Sequence, residues 1–331
     1  MSPRAAACSR RRCRALVSRR AEATAPAPGP PAPTADGTQL TKAGPPRLPA
    51  SAKGDISNEE NMLWAEEDWT DELEAGLRTD LEAFEVNGRC DMGAGHVRVL
   101  ENHAASKWQY FYKRNGGRFF KDRHYLDVAF PAVAARCAAH DSLLVEVGCG
   151  AGNAVLPLLE TWPRLRVAAL DFAAAGLELV KQSPHFDPAR CTVHRVDAAD
   201  RECAWPAEAT SADFATLLFM LSAVSPARMP AVADRVAAAL KPGGLVLLRD
   251  YGRFDEAQLR FKKGRRLGEP HFYARQDGTR AYFFNLDDLR ALFEAAGFEV
   301  LELEYIRRQY QNRASKSVRR RCWVHGVFRR L

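Results

Sequence analysis

Glycines at 148, 150 and 152 follow a short apolar run and precede an apolar-periodic one, in the order Leu144-Val145-Glu146-Val147-Gly148-Cys149-Gly150-Ala151-Gly152-Asn153. Glycine lets a chain turn sharply and bring its backbone close to a ligand. In an open α/β sheet such a loop lies beyond the carboxyl end of a strand, where ligands bind. The dinucleotide fingerprint G-x-G-x-x-G needs its third glycine at 153. Here 153 is Asn and the glycine comes one residue early. Two acids stand where later strands should close. Asp171 lies 23 residues after Gly148, and Asp197 ends the run Val193-His194-Arg195-Val196-Asp197. A carboxylate in the first of these places can accept hydrogen bonds from both hydroxyls of a ribose.

The elements that must hold these residues alternate. Strands are expected at Leu143–Val147, Val167–Leu170, Thr192–Val196, Phe214–Leu221 and Leu245–Leu248, and near Phe298–Tyr305 and Cys322–Phe328. Helices are expected at Asn153–Glu160, Ala173–Gln182, Met229–Leu240 and Leu286–Ala296. This alternation implies a seven-stranded, mostly parallel sheet with helices on both faces. Upstream, Trp69, Leu73, Leu77 and Leu81 recur every four residues, giving a helix over Glu66–Phe84. A second helix from Val99 to about Arg114 sets Trp108, Phe111 and Tyr112 on one face, a pattern that by itself reads as core. Lys241-Pro242-Gly243-Gly244 reads as a turn into the fifth strand.

The 331 residues carry a net charge of +7, unevenly spread. Residues 1–53 hold ten basic residues against two acids, and nine of the 19 prolines, so they lack the apolar surface to fold. Their first 20 residues contain seven Arg and no acid, which matches a mitochondrial presequence or a basic tail on a cytoplasmic protein, intracellular in either case. Residues 54–105 hold fourteen acids against three Arg; residues 305–331 hold nine basic residues and no acid. That last strip, with Arg260, Lys262, Lys263, Arg265 and Arg266, fits contact with a polyanion such as RNA, or forms a solvated charged face. Eight cysteines make no C-x-x-C pair, so neither a zinc site nor a disulfide framework is expected. No run of about 18 apolar residues offers a membrane span.

The G-x-G-x-G loop with Glu146 resembles the first motif of class I S-adenosylmethionine-dependent methyltransferases, and the acids after strands two and three and the Pro-Gly-Gly turn agree with it. More specific runs lie outside: Trp108-Gln109-Tyr110-Phe111-Tyr112, Phe119-Phe120-Lys121-Asp122-Arg123-His124-Tyr125, Arg249-Asp250-Tyr251-Gly252, and Phe272 to Phe284. With these, residues 60–331 resemble the methyltransferase-like family that forms N3-methylcytidine in RNA, chiefly at position 32 of the tRNA anticodon loop. The resemblance implies a Rossmann-like domain over 131–331, an N-terminal helical extension over 54–130 that covers the cofactor and touches RNA, and a tail over 1–53. It implies S-adenosylmethionine as cofactor and tRNA as partner, with an aminoacyl-tRNA synthetase or another tRNA-binding protein aiding substrate choice.

Carried over by motif, Trp108, Tyr112, Gly148, Gly150, Gly152, Asp171, Asp197, Ala198 and Leu218 contact the cofactor, and Glu146 faces its methionine ammonium. Tyr125 stands where Trp is common in the family, and Ala198 where Leu is common. Candidate RNA contacts are Lys121, Arg123, His124, Arg260, Lys262, Arg307, Arg308, Arg319, Arg320 and Arg321, since arginine and aromatic side chains together suit single-stranded loops.

Cytosine N3 carries a lone pair in the ring plane, so it needs no base to become a nucleophile; it needs unpairing and alignment. Methylation leaves a positive charge that a carboxylate would stabilise. Asp250 at the end of strand five is the candidate, with Tyr251 stacking on the base. From position alone Asp250 could equally cap a loop or pair with Arg249 or Arg253. A methyltransferase acting on a small molecule or protein, and a non-catalytic RNA-binding relative, remain open alternatives.

Overall fold

The computed structural model describes residues 62–64, 69–86, 91–311 and 318–331. The proposed tail at 1–53, Arg313 and Lys316 lie outside them. In chain order the strands are β1 Met62–Trp64, β2 Ser142–Val147, β3 Leu165–Asp171, β4 Cys191–Arg195, β5 Ala212–Leu218, β6 Leu240–Tyr251, β7 Phe272–Ala274, β8 Arg280–Tyr282, β9 Phe298–Gln311 and β10 Val318–Arg330. The helices are α1 Asp71–Val86, α2 Ala94–Asn102, α3 Ala104–Asn115, α4 Leu126–Ala129, α5 Pro131–Ala139, α6 Val155–Thr161, α7 Ala174–Lys181, α8 Met229–Ala239, α9 Glu256–Leu259 and α10 Leu286–Ala295.

The main sheet runs β1-β9-β10-β6-β5-β2-β3-β4. β4, β3, β2, β5 and β6 are parallel, and β10 is antiparallel to both β6 and β9. The seven expected strands are therefore present, with Met62–Trp64 added at the β9 edge. Parallel strands covered on both faces read as unbroken apolar runs. β5 follows this rule, being buried along its whole length. The order reverses between β2 and β5, and this switch point is where an open α/β sheet leaves its crevice.

Several boundaries moved for local reasons. α1 begins at Asp71 because the Thr70 hydroxyl accepts the Leu73 N–H at 3.1 Å, an N-cap. Its stripe packs as expected: Leu77 and Leu81 are buried beside Phe254, with Trp69 and Leu73 against them. The helix expected from Val99 is two helices that meet at His103. β6 starts at Leu240, and the Pro-Gly-Gly turn lies within it as an irregularity in the pairing with β5. The β7–β8 hairpin has strands of three residues each, too short to show a period in the sequence.

Candidate active site at the switch point

The glycine loop is stitched to the strand beside it. The N–H groups of Gly148 and Cys149 both donate to the Leu170 carbonyl, at 2.7 and 3.0 Å. The Gly150 N–H donates to Asp171 Oδ2 at 2.9 Å, and the Ala173 N–H to Oδ1 at 2.8 Å. Burial raises the Asp171 pKa to about 6 against these bonds. The Phe172 N–H adds a third bond, and a carboxylate accepts about four, so acceptor capacity remains for a ligand.

Two glycines are required by close approach. Gly148 has φ +76°, and a Cβ there would run into the Met220 side chain. Gly150 has φ +54°, and a Cβ there would run into the Tyr112 hydroxyl. Tyr112 thus lies across the loop. α3, which carries it, is fixed by Gln109, whose Oε1 accepts the Ala175 N–H at 2.8 Å at the start of α7. Trp108 stacks on Tyr112, with ring centroids 5.9 Å apart.

Two cavities open beside the loop and share Trp108, Tyr112, Gly148 and Phe219 as walls. The first holds about 630 Å³ of open space and is lined by Asp171, Asp197, Ala198, Met220 and Arg228, among others. Asp197 is engaged there: Oδ1 accepts the Ala199 N–H at 2.9 Å and Oδ2 faces Arg228 Nη2 at 3.2 Å. The second holds about 920 Å³ and is lined by Glu146, Arg123, Leu218, Phe219, Tyr251 and Arg275, among others. Glu146 is 3% exposed, and its Oε2 has no hydrogen-bond partner. Burial pushes its pKa up to about 8, opposed by the positive charge of Arg123. The Arg123 guanidinium lies 4.8 Å from the centre of the Phe219 ring.

Phe219 is a site residue that no motif marks by itself. Its φ is +56°, unusual for a bulky residue, and its N–H donates to the Arg249 carbonyl at 2.7 Å. Left-handed backbone at a non-glycine residue stores strain of order 1–3 kcal/mol and clusters at functional sites. Its place directly after Leu218, at the carboxyl end of β5, was the available signal. Arg275 and Arg280, which also line the cavities, belong to the Phe272 to Phe284 run; Arg228 had no sequence signal of its own.

The structure brings Trp108, Tyr112, Gly148, Asp171, Asp197 and Ala198 to the first cavity, and Glu146, Gly150, Leu218 and Tyr251 to the second. Gly152 lines neither. It serves packing: at φ +84°, a Cβ would press on Leu156 and Val180.

Asp250 is placed differently from expectation. It is fully buried and lines neither cavity. Its oxygens accept the N–H groups of Ser222 at 2.9 Å and Tyr251 at 2.8 Å. Asp250 therefore braces the loops behind the site, the capping alternative. The carboxylates that do face the second cavity are Glu146 and Asp277.

The expected RNA contacts divide. Arg123 lies within the second cavity, not on an outer face. His124 lines a separate groove behind the glycine loop. Arg307 is committed to Glu74 at 3.1 Å and to the rings of Trp69 and Tyr305. Arg321 is committed to the buried carboxylate of Asp255 at 2.8 Å. Arg308 Nη1 donates to the Arg307 carbonyl at 2.7 Å. Arg260 pairs with Glu256 at 2.6 Å yet stays exposed, as do Lys121, Lys262, Arg319 and Arg320.

A family model described as a methyltransferase domain matches residues 123–303. The tRNA N(3)-cytidine methyltransferase METTL2 of Xenopus tropicalis is 36% identical over 305 residues, spanning 81% of this chain and 89% of that protein. The chain belongs to the tRNA N(3)-cytidine methyltransferase family. Human tRNA N(3)-cytidine methyltransferase METTL6 is 43% identical over 231 residues, spanning 69% of this chain and 81% of that protein. Among solved structures, an S-adenosylmethionine-dependent methyltransferase from Anabaena variabilis superposes with a TM-score of 0.50 at 15% identity over 69% of this chain, which shows the class I methyltransferase fold.

The site fits the cofactor of this family. The glycines let Met220 and Tyr112 close directly onto the loop backbone beside the two cavities. Asp171 keeps acceptor capacity for a ribose, and the orphaned buried Oε2 of Glu146 suits a cationic ammonium. No helix among the described residues is long and apolar enough to cross a membrane.

Proposed function

We propose that this chain methylates N3 of a cytidine in tRNA, in the anticodon loop at position 32, with S-adenosylmethionine as donor. One observation carries the reading. The cavity lined by Asp171 and Asp197 shares its wall with a second cavity lined by Phe219 and Tyr251, whose ring centroids are 5.1 Å apart. Rings in such a cleft suit a flat base taken out of its stack. An unpaired loop nucleotide enters at least cost, which favours an anticodon loop over a paired stem.

When bound, the cofactor supplies a sulfonium-borne methyl group. The chain's own residues do the rest. Trp108 and Tyr112 close over the glycine loop; Asp171 in the first cavity and Glu146 in the second hold the two polar ends of a ligand that crosses from one to the other past Gly148. Phe219 stands in the wall shared by the two cavities, with Leu218 beside it on the second. Tyr251 stacks on the base, and Arg123, held against Phe219, donates to its edge. No residue must remove a proton from N3; the residues set orientation and exclude water. Lys121, Arg260, Lys262, Arg319 and Arg320 are exposed and meet the tRNA backbone.

The test is nucleoside mass spectrometry on tRNA incubated with the protein and methyl-labelled donor. N3-methylcytidine in the anticodon loop, abolished by Asp171→Ala, is expected. Product that appears only after a tRNA-binding protein such as an aminoacyl-tRNA synthetase is added would assign that protein the role of helper. No product even with a complete cell extract would overturn the reading in favour of a small-molecule or protein substrate.

A further inference from the structure

Glu101 lies in the last turn of α2, outside every motif described above, and its carboxylate reaches the rim of the first cavity. Oε1 accepts the Ser225 hydroxyl at 3.0 Å and stands 4.0 Å from Arg228 Nη1. Oε2 pairs with Arg280 Nη1. Both arginines line the first cavity. The Arg280 side chain is 6% exposed, and its second nitrogen, Nη2, donates to the Ala223 carbonyl at 2.9 Å. Arg228 reaches on to Asp197 at 3.2 Å. One carboxylate thus joins the N-terminal helices to three separate segments of the cavity wall, at 223–228, at 280 and, through Arg228, at 197.

The rest of α2 offers little grip near the cavity. None of its residues is fully buried, and Val97 and Leu100 pack on Leu267, Phe272 and Ala274. Its other ionic anchor, Asp91 to Arg266 at 2.6 and 3.1 Å, precedes α2 and involves no residue lining either cavity. After Glu101 the chain passes His103 and enters α3, which carries Trp108 and Tyr112.

We propose that Glu101 is a positioning residue for the cofactor: it latches the α2–α3 arm to the cavity rim, so that Trp108 and Tyr112 stand over the glycine loop and Arg228 is held to Asp197. The inference rests on the reading of this chain as an S-adenosylmethionine-dependent methyltransferase. A latch acts on retention of the cofactor, not on the transfer step. Removing it raises the dissociation constant and the KM for the donor together and leaves kcat at saturating donor nearly unchanged.

The test compares the full-length chain with E101Q, E101D and D91N. Binding of S-adenosylhomocysteine is measured by calorimetry, alongside kcat and KM for the donor with tRNA, and Tm. For E101Q, affinity weakens about tenfold or more, with kcat within about twofold of wild type. E101D, which keeps the charge but shortens the reach, falls in between, and D91N binds like wild type. Wild-type protein that does not bind S-adenosylhomocysteine would sink the methyltransferase reading itself. With wild-type binding intact, the latch is overturned if E101Q and E101D bind within twofold of wild type, if D91N weakens binding as much as they do, or if kcat falls in step with Tm. If E101Q does not fold, E101D decides by the same criteria.

Discussion

Asp171 Oδ2 accepts the Gly150 N–H at 2.9 Å, so the acid at the end of β3 holds the middle of the glycine loop before any ligand arrives. Its other oxygen holds the Ala173 N–H at 2.8 Å, at the start of α7. The same carboxylate that can receive a ribose therefore also shapes the loop beneath it. An Asp171→Asn variant keeps the size but loses one acceptor oxygen and the charge. A hydrogen bond to a charged group contributes about 1.5–3 kcal/mol, so affinity for S-adenosylhomocysteine should fall about 10- to 100-fold, measured by calorimetry. Unchanged affinity would remove Asp171 from the cofactor site.

Glu146 makes binding pH-dependent. Its pKa stands at about 8 against an ordinary 4.5, because burial disfavours the charged form. The folded, ligand-free protein binds this proton more tightly than the unfolded chain. The contribution is thus fully present below pH 4.5 and is lost as pH rises to about 8. A cationic ammonium beside Glu146 reverses the preference and expels the proton. Affinity for S-adenosylhomocysteine should therefore climb with pH below 8, by up to about tenfold per unit. Titrations in buffers of different ionisation enthalpy should show proton release. Glu146→Gln should flatten the pH dependence; a slope that survives the substitution would assign it elsewhere.

Asp250→Asn tests a brace. The carboxylate takes the Ser222 and Tyr251 N–H groups in a fully buried setting. An amide there leaves a buried donor facing a donor, at a cost of about 1–3 kcal/mol. Thermal unfolding should shift down by several degrees, and kcat and donor KM should worsen together. A loss confined to kcat, with Tm unchanged, would restore Asp250 to a catalytic role.

What the sequence disclosed depended on distance along the chain. The glycine loop, Asp171 and Asp197 are local features of strand ends, and all three lie where their spacing placed them. Asp250 failed on parity. Arg249 and Asp250 are neighbours on β6, so their side chains point to opposite faces, and nothing local says which face carries the cavity. Arg249 reaches His325 Nδ1 at 3.2 Å on one side, while Asp250 reaches Ser222 on the other. The packing of Arg123 and Glu101 was hidden for a different reason. Their partners, Phe219 and Arg280, are 96 and 179 residues away, and no period encodes such pairs. Composition alone made the arginines of β9 and β10 look alike, whereas pairing separates them.

Those arginines give the last contrast. Arg319 and Arg320 are exposed, while Arg307 and Arg321 are tied to Glu74 and Asp255. Each exposed cation that neutralises a phosphate releases counterions, so its loss lowers the slope of log affinity against log salt by about 1. Arg319→Ala with Arg320→Ala should therefore weaken tRNA binding and reduce the slope by about 2, with Tm unmoved. Arg321→Ala should do the reverse. It strips a partner from Asp255, a buried carboxylate that also accepts the Cys322 N–H at 3.0 Å, and should cost about 2 kcal/mol of stability with the salt slope unchanged. Filter binding across a salt series, paired with thermal melts, separates the two. A salt slope that falls with Arg321→Ala and not with the double variant would make Arg321, and not Arg319 or Arg320, the phosphate contact on these strands.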